Sequence, residues 1–203
     1  MGQIQKIAEF VRPTGLGSFN FVSYMTNGQF AFAATRGLPA RADDQPVLVR
    51  IQSPCLFGES FGIKSCDCAA QLHKALELGS QSPPFILIYL MEQEGRGLGL
   101  FQKIRAIEVE ANDGVDMIEA FEKLHLPLDL RDYAVAADIL KDLIPGRSIR
   151  LLTNNPKKID GLRELEIDVA SREPLLIDIP NEACRRYLSS KKRGMGHLLT
   201  NVD

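Results

Sequence analysis

The run Phe85-Ile86-Leu87-Ile88-Tyr89-Leu90 continues as Met91-Glu92-Gln93-Glu94-Gly95-Arg96-Gly97-Leu98-Gly99-Leu100. Its first six residues are apolar, with β-branched and aromatic types among them, and read as a buried strand. The glycines interrupt that run. Beyond them Leu100, Ile104, Ile107 and Ala111 recur at helical spacing. This strand, turn and helix belong to an alternation of strands and helices after residue 66 that predicts an α+β or α/β chain with a mixed sheet.

Working outward, the N-terminal part is β-rich. Phe19 and Phe21 alternate with Ser18 and Asn20 before Val22, and residues 30–34 and 47–51 read as further short strands. Asn27-Gly28 is a hairpin-turn signal, and residues 37–45 read as a polar loop. From Cys66 onward the period changes. Ala69, Leu72, Leu76 and Gly79 mark a helical face, with Gly79 as its expected C-cap. Val135, Ala136, Ile139, Leu140 and Leu143 mark a further helix, capped by Asp132. Residues 148–152 read as a strand, and Asn155-Pro156 opens a helix with proline at its first position. A last helix runs from Asn181 into Lys191-Lys192-Arg193. The expectation is one α+β domain over residues 1–203, a mixed sheet flanked by helices.

Composition narrows the class. The chain has 203 residues, 45% hydrophobic and 25% charged, as in an ordinary globular protein. A formal charge of −2 lacks the basic excess of a nucleic-acid binder. Residues 84–91 form the longest apolar run, too short for a membrane span. Met1-Gly2-Gln3-Ile4-Gln5-Lys6 lacks the basic-then-apolar order of a signal peptide, and Lys6 stands where a myristoylation motif takes Ser or Thr. A cytoplasmic location is therefore expected. In that reducing compartment clustered thiols read as metal ligands before disulfides.

The strongest chemical signal is Cys55-x10-Cys66-Asp67-Cys68. Three thiolates can hold Zn2+, and the spacing leaves the fourth position open to two readings. Lone Cys184 would close a structural site, whereas water would make it catalytic. Buried, inert thiols are the bland alternative. The glycine turn at 95–99 suits an anion, because close backbone amides and a helix start favour phosphate and Arg96 adds charged donors. It is not the dinucleotide fingerprint, since the third glycine comes one residue early, and no Walker lysine follows. Thr153-Asn154-Asn155-Pro156-Lys157-Lys158 places two lysines in a first helical turn, where a bound anion would relieve their opposition to the helix dipole. A solvated lysine pair is the alternative. Asp129-Leu130-Arg131-Asp132 reads by itself as an ion pair with a cap. The histidines offer no catalytic arrangement: His73 reads as exposed, His125 as a loop residue, and His197 lies near the end.

Together these segments resemble GTP cyclohydrolase II. The blocks that carry the resemblance are Ser53-Pro54-Cys55-Leu56, Cys66-Asp67-Cys68, residues 93–100, Lys103-Ile104-Arg105-Ala106, residues 129–132, 151–158 and 195–199, in family order and near family spacing. The resemblance implies hydrolysis of GTP to formate, diphosphate and a ribosylaminopyrimidinone phosphate, the opening reaction of riboflavin biosynthesis. It implies Cys55, Cys66 and Cys68 as zinc ligands with water in the fourth position, leaving Cys184 incidental. It further implies Arg131 as the group that attacks the α-phosphate, Asp129 as general base, and Arg50, Gln71, Glu94, Gly95, Arg96, Thr153 and Lys158 as nucleotide-binding residues. Mg2+ would accompany the triphosphate, and a homodimer is expected.

The chain also departs from the family pattern. Gln52 stands for a histidine, Pro54 for a glutamate, Ser65 and Glu92 for arginines, Ile107 for a tyrosine, Met117 for a threonine and Phe121 for an asparagine. Zinc and phosphate groups are thus kept while polar groups expected around the base are changed. A divergent paralogue with another nucleotide or a formamide product, and a zinc-bearing nucleotide binder without catalysis, are the competing expectations.

Overall fold

The computed structural model describes residues 4–26, 28–38 and 45–202. Asn27 of the expected hairpin turn and residues 39–44 of the expected polar loop lie outside them. In chain order the elements begin with strands β1 (Gln5–Thr14), β2 (Gly17–Thr26), β3 (Gln29–Arg36) and β4 (Val47–Gln52). Helix α1 (Cys68–Gln81), strand β5 (Phe85–Leu90), and helices α2 (Gly99–Asp113), α3 (Met117–Lys123) and α4 (Ala134–Leu143) follow. The chain then adds β6 (Ile149–Leu152), α5 (Pro156–Glu164), β7 (Val169–Glu173) and α6 (Glu182–Met195).

All seven strands form one mixed sheet in the order β1-β2-β3-β5-β4-β6-β7. β1, β2, β3 and β5 pair antiparallel, and β5, β4, β6 and β7 pair parallel. This is the expected α+β class. Thr26 pairs with Gln29, and Gly28 has φ +77°, the left-handed backbone a tight hairpin demands.

The pleat divides the core. Val47, Val49, Ile51, Ile86 and Ile88 meet Ala136, Ile139 and Leu140 of α4 and Leu162 of α5. Leu48, Phe85 and Leu87 join Phe19, Ala34 and Ala75 in a second cluster against α1. Alternate residues of one strand thus serve opposite layers. α2, α3 and α6 make a smaller cluster around Ala106, Met117, Ala120, Phe121 and Met195.

Several local expectations change. Gly79 does not cap α1; the helix continues to Gln81 with Ser82 as its cap. A Cβ at Gly79 would lie 2.2 Å from the Phe85 ring, so the position needs glycine for close packing. The stripe on α2 is not core: Ile104, Ile107 and Phe101 are exposed, and only Ala106 is buried. Tyr133 rather than Asp132 holds the cap position of α4, although Asp132 Oδ1 accepts from Ala134 N at 3.1 Å. β1 was not anticipated, because an edge strand exposed along its whole length imposes no apolar alternation. α3 did carry a signal, the Asp116-x-x-Glu119 capping box that starts it. No helix of the described residues is long and apolar enough to cross a membrane.

Candidate active site

In an open sheet with parallel strands, ligands bind beyond the carboxyl ends of those strands. Here β4 runs into Ser53–Cys55, β5 into the glycine turn and β6 into Thr153–Asn155, all on one side. They open on a cavity of about 660 Å³ whose far wall comes from α2, α3 and α6. Cys55, Cys66, Cys68, Arg50, Gln71, Gly95, Arg96, Arg131, Thr153 and Lys158 all line it. Glu94 and Asp129 do not; each stands behind a lining residue.

The three cysteine sulfurs lie within 4.8 Å of one another. Cys55 Sγ is 3.8 Å from Cys66 Sγ, accepts from Gly58 N at 3.4 Å, and accepts from Lys103 Nζ at 3.1 Å. A Cβ on Gly58 would press on Cys66 Sγ at 3.1 Å, so glycine lets the backbone cradle the sulfurs. Hydrogen bonds from Cys66 and Cys68, then the Lys103 charge, hold the Cys55 thiol far down, while the bond to Cys55 pushes Cys66 and Cys68 up. Three thiols this close cannot all ionise unaided, and a soft cation would relieve that conflict. The donor set therefore fits a metal ion. Glu94 accepts from Lys103 Nζ at 2.6 Å and from Leu56 N at 2.8 Å, bracing the Cys55 segment. Against the cost of burial, Glu94 and Cys55 keep Lys103 charged. Cys184 belongs elsewhere, buried with Leu188, Leu199 and Val202.

The other side of the cavity is cationic. Arg50 is buried on β4 and donates to Gln52 Oε1, Gln71 Oε1 and Leu152 O. Burial draws its pKa down to about 10. Lys158 is buried in the first turn of α5 and donates to Ile51 O at 2.7 Å. Burial, then Arg50 and Arg131, pull its pKa well below the usual lysine value. It is not the solvated surface lysine that its sequence allows. Arg131 is held by Asp129 through two side-chain bonds. Three cations that repel one another around a helix start make a site that an anion would stabilise. Thr153 Oγ1 accepts from Asn155 N at 3.0 Å, shaping the turn that precedes α5.

Gly95, Arg96 and Gly97 have φ of +60°, +61° and +84°. Arg96 is the strained member, since a side chain disfavours that region. A Cβ on Gly97 would lie 3.1 Å from Leu130 O, and Leu130 N donates to Arg96 O at 3.0 Å. The glycine turn is thereby clamped to the segment that carries Arg131.

Sequence reasoning assigned no role to Lys103, Lys191 or His197, yet all line the cavity. Lys191 Nζ donates to Asp67 Oδ1 at 2.9 Å, and Asp67 also accepts from Gln71, so α6 is tied to the cysteine segment. His197 Nδ1 is buried with no partner among the described residues. Burial, then Lys191 and Arg131, bring its pKa to about 3. Lys103 and His197 lie in blocks that carry the resemblance without a role of their own, Lys191 lies in none, and packing of distant helices brings all three to the cavity. Of the departures, Gln52, Pro54, Ser65, Ile107, Met117 and Phe121 line the same cavity, whereas Glu92 is exposed outside it.

A profile of GTP cyclohydrolase II matches residues 5–174. The riboflavin biosynthesis protein RibBA of Bacillus cytotoxicus is 43% identical over 199 residues, 97% of this chain and 48% of that protein. RibBA of Chlorobium phaeovibrioides is 41% identical over 199 residues, 97% of this chain and 47% of that protein. The chain thus spans about half the length of the curated relatives it matches. A solved structure of RibBX from A. baumannii, a two domain 3,4-dihydroxy-2-butanone 4-phosphate synthase, superposes with TM-score 0.47 at 16% identity, covering 86% of this chain and 40% of that one. That superposition is too loose to bear on this chain. With the family profile spanning most of its residues, the chain belongs to the GTP cyclohydrolase II family.

Proposed function

We propose that this chain is a zinc-dependent hydrolase that opens the imidazole ring of a purine nucleoside triphosphate, GTP, and releases diphosphate in riboflavin biosynthesis. One observation carries the reading: the three-cysteine cluster and the buried cations Arg50, Arg131 and Lys158 face one cavity. A cysteine triad alone suits many zinc proteins. A triad beside an anion site large enough for a nucleotide suits hydrolysis of a phosphorylated heterocycle.

Cys55, Cys66 and Cys68 would hold the zinc ion, which when bound supplies Lewis-acid activation of water for attack at C8 of the purine. Lys103 adds to the bonds from Cys66 and Cys68 that favour the anionic Cys55 sulfur, and Glu94 holds Lys103 in place. Arg50 and Lys158 receive the phosphates, with Gln71 fixing the Arg50 guanidinium and Mg2+ entering with the nucleotide. Arg131 meets the α-phosphate. Asp129 orients it and is the base in contact with its N–H groups. Arg96 and Gly95 close the remaining side. Formate release is the step that Ile107 leaves without a phenolic hydroxyl. A cytoplasmic homodimer belongs to the same reading.

The test is direct. Zinc-loaded protein is incubated with GTP, ATP, ITP and XTP, and products are identified by mass. Ring-opened monophosphate and diphosphate from GTP are expected. Zinc and nucleotide binding without turnover would establish the non-enzymatic alternative.

A further inference from the structure

One acid in the cavity has nothing to bind. Lys103, Ile107 and Glu110 follow one another along the face of α2 that lines the cavity. The surrounding wall is apolar, from Ile107, Val115, Met117 and Phe121. Neighbouring acids are engaged locally. Asp116 accepts from Ile118 N, Glu119 N and Ser190 Oγ, and Glu119 accepts from Asp116 N. Neither oxygen of Glu110 takes a hydrogen bond from any described residue, although its side chain is only partly open. Burial raises its pKa, Arg96 opposes that rise, and Asp116 adds to it. The Arg96 guanidinium itself lies 5.1 Å over the Phe121 ring.

A carboxylate sunk in an apolar wall without donors is a costly arrangement unless a ligand completes it. The matching ligand carries two adjacent N–H donors on a planar edge and a flat face for the apolar wall. Among purines, guanine presents N1–H beside its 2-amino group. Hypoxanthine presents N1–H alone, and adenine presents an acceptor at N1, which an ionised carboxylate repels. We propose that Glu110 reads the base, its carboxylate accepting from N1–H and the 2-amino group of guanine, while Ile107, Met117 and Phe121 pack against the ring. This rests on the nucleotide-hydrolase reading of the cavity and adds the residue that would choose the base.

The test compares kcat/KM for GTP and ITP in the zinc-loaded full chain and in Glu110→Gln and Glu110→Ala, with zinc content and thermal midpoint as checks of the fold. The unmodified protein should prefer GTP over ITP by ~10–100-fold, the range for hydrogen bonds to a charged group. Both variants should lose most of that preference, chiefly through KM for GTP, with zinc retained. GTP turnover by the unmodified protein with the same GTP:ITP ratio in both variants overturns the role of Glu110 alone. Absence of both turnover and binding for every purine triphosphate overturns this assignment together with the reading beneath it.

Discussion

Both carboxylate oxygens of Asp129 are taken by one guanidinium: Arg131 Nε donates to Oδ1 at 2.8 Å and Nη2 to Oδ2 at 2.7 Å. The fork fixes the Arg131 side chain at the cavity wall, and Gly97 packed against Leu130 fixes its backbone. An arginine so placed can present its remaining N–H groups to a phosphate without reorganising. An ion pair two residues apart, unremarkable in sequence, is thereby part of the site.

Arg131→Ala should abolish diphosphate release, a loss of at least ~10³-fold if this group meets the α-phosphate, while zinc content stays at one ion. It should also lower stability by about 3 kcal/mol, because Asp129 is left charged and unpaired in a mostly buried position. Adding Asp129→Asn should recover part of that stability without recovering activity. Arg131→Lys should not restore turnover, since an ammonium cannot make the fork. Diphosphate assay and thermal unfolding read these outcomes, and normal turnover by the alanine variant would remove Arg131 from the mechanism.

Metal analysis of purified protein should give one zinc per chain, with three sulfur ligands by X-ray absorption. Cys66→Ala should lose the metal. Cys184→Ala should keep it, because Cys184 packs among Leu188, Leu199 and Val202 and burial lifts its thiol to about 11. Coordination by four sulfurs would overturn the catalytic assignment, as no position would remain for water.

Ile107 lines the cavity where a tyrosine is expected, and it can neither donate a proton nor orient water. Opening the ring needs only activated water, whereas removing the resulting formyl group is a second hydrolysis. The expected product from GTP is therefore a formamide that accumulates, and Ile107→Tyr should raise formate release. Stoichiometric formate from the unmodified protein would refute this.

His197 supplies a pH dependence. Its folded pKa of about 3 lies below the ordinary 6.5, through burial and through Lys191, Arg131 and Arg96, against Asp67. Between those values the unfolded chain binds a proton that the folded chain does not. The contribution is therefore complete above pH 6.5 and is lost as pH falls toward about 3. His197→Asn should flatten the fall of thermal midpoint across that window; an unchanged slope would show that other groups cause it.

Gly79→Ala should lower stability by ~1–3 kcal/mol, because the added methyl meets the Phe85 ring inside a packed core. Unfolding in urea measures this, and a neutral substitution would mean that α1 can shift away from β5.

The apolar run 85–90, the periods of α1 and α4, and the Asn155-Pro156 start of α5 were legible because each is a local consequence of burying one face or closing one helix end. Three cysteines close in sequence likewise announced a metal-sized cluster. Exposure of the α2 stripe was not legible, since an apolar residue facing a ligand cavity has the same sequence signature as one facing a core. The roles of Lys103, Lys191 and His197 were also hidden: Lys103 reaches the cavity from α2 and the other two from the end of α6 and just beyond it, and nothing local says which groups a distant residue will meet. By itself the sequence determined most of the buried or capped elements, though not the exposed edge strand β1, together with the α+β class and the residue types able to hold a metal and an anion, because these depend on neighbours along the chain. Only the tertiary structure decided that Cys55, Arg131, Lys158 and Glu110 share one cavity while Cys184 does not, because that depends on which strand ends the sheet order brings together and which helices close over them.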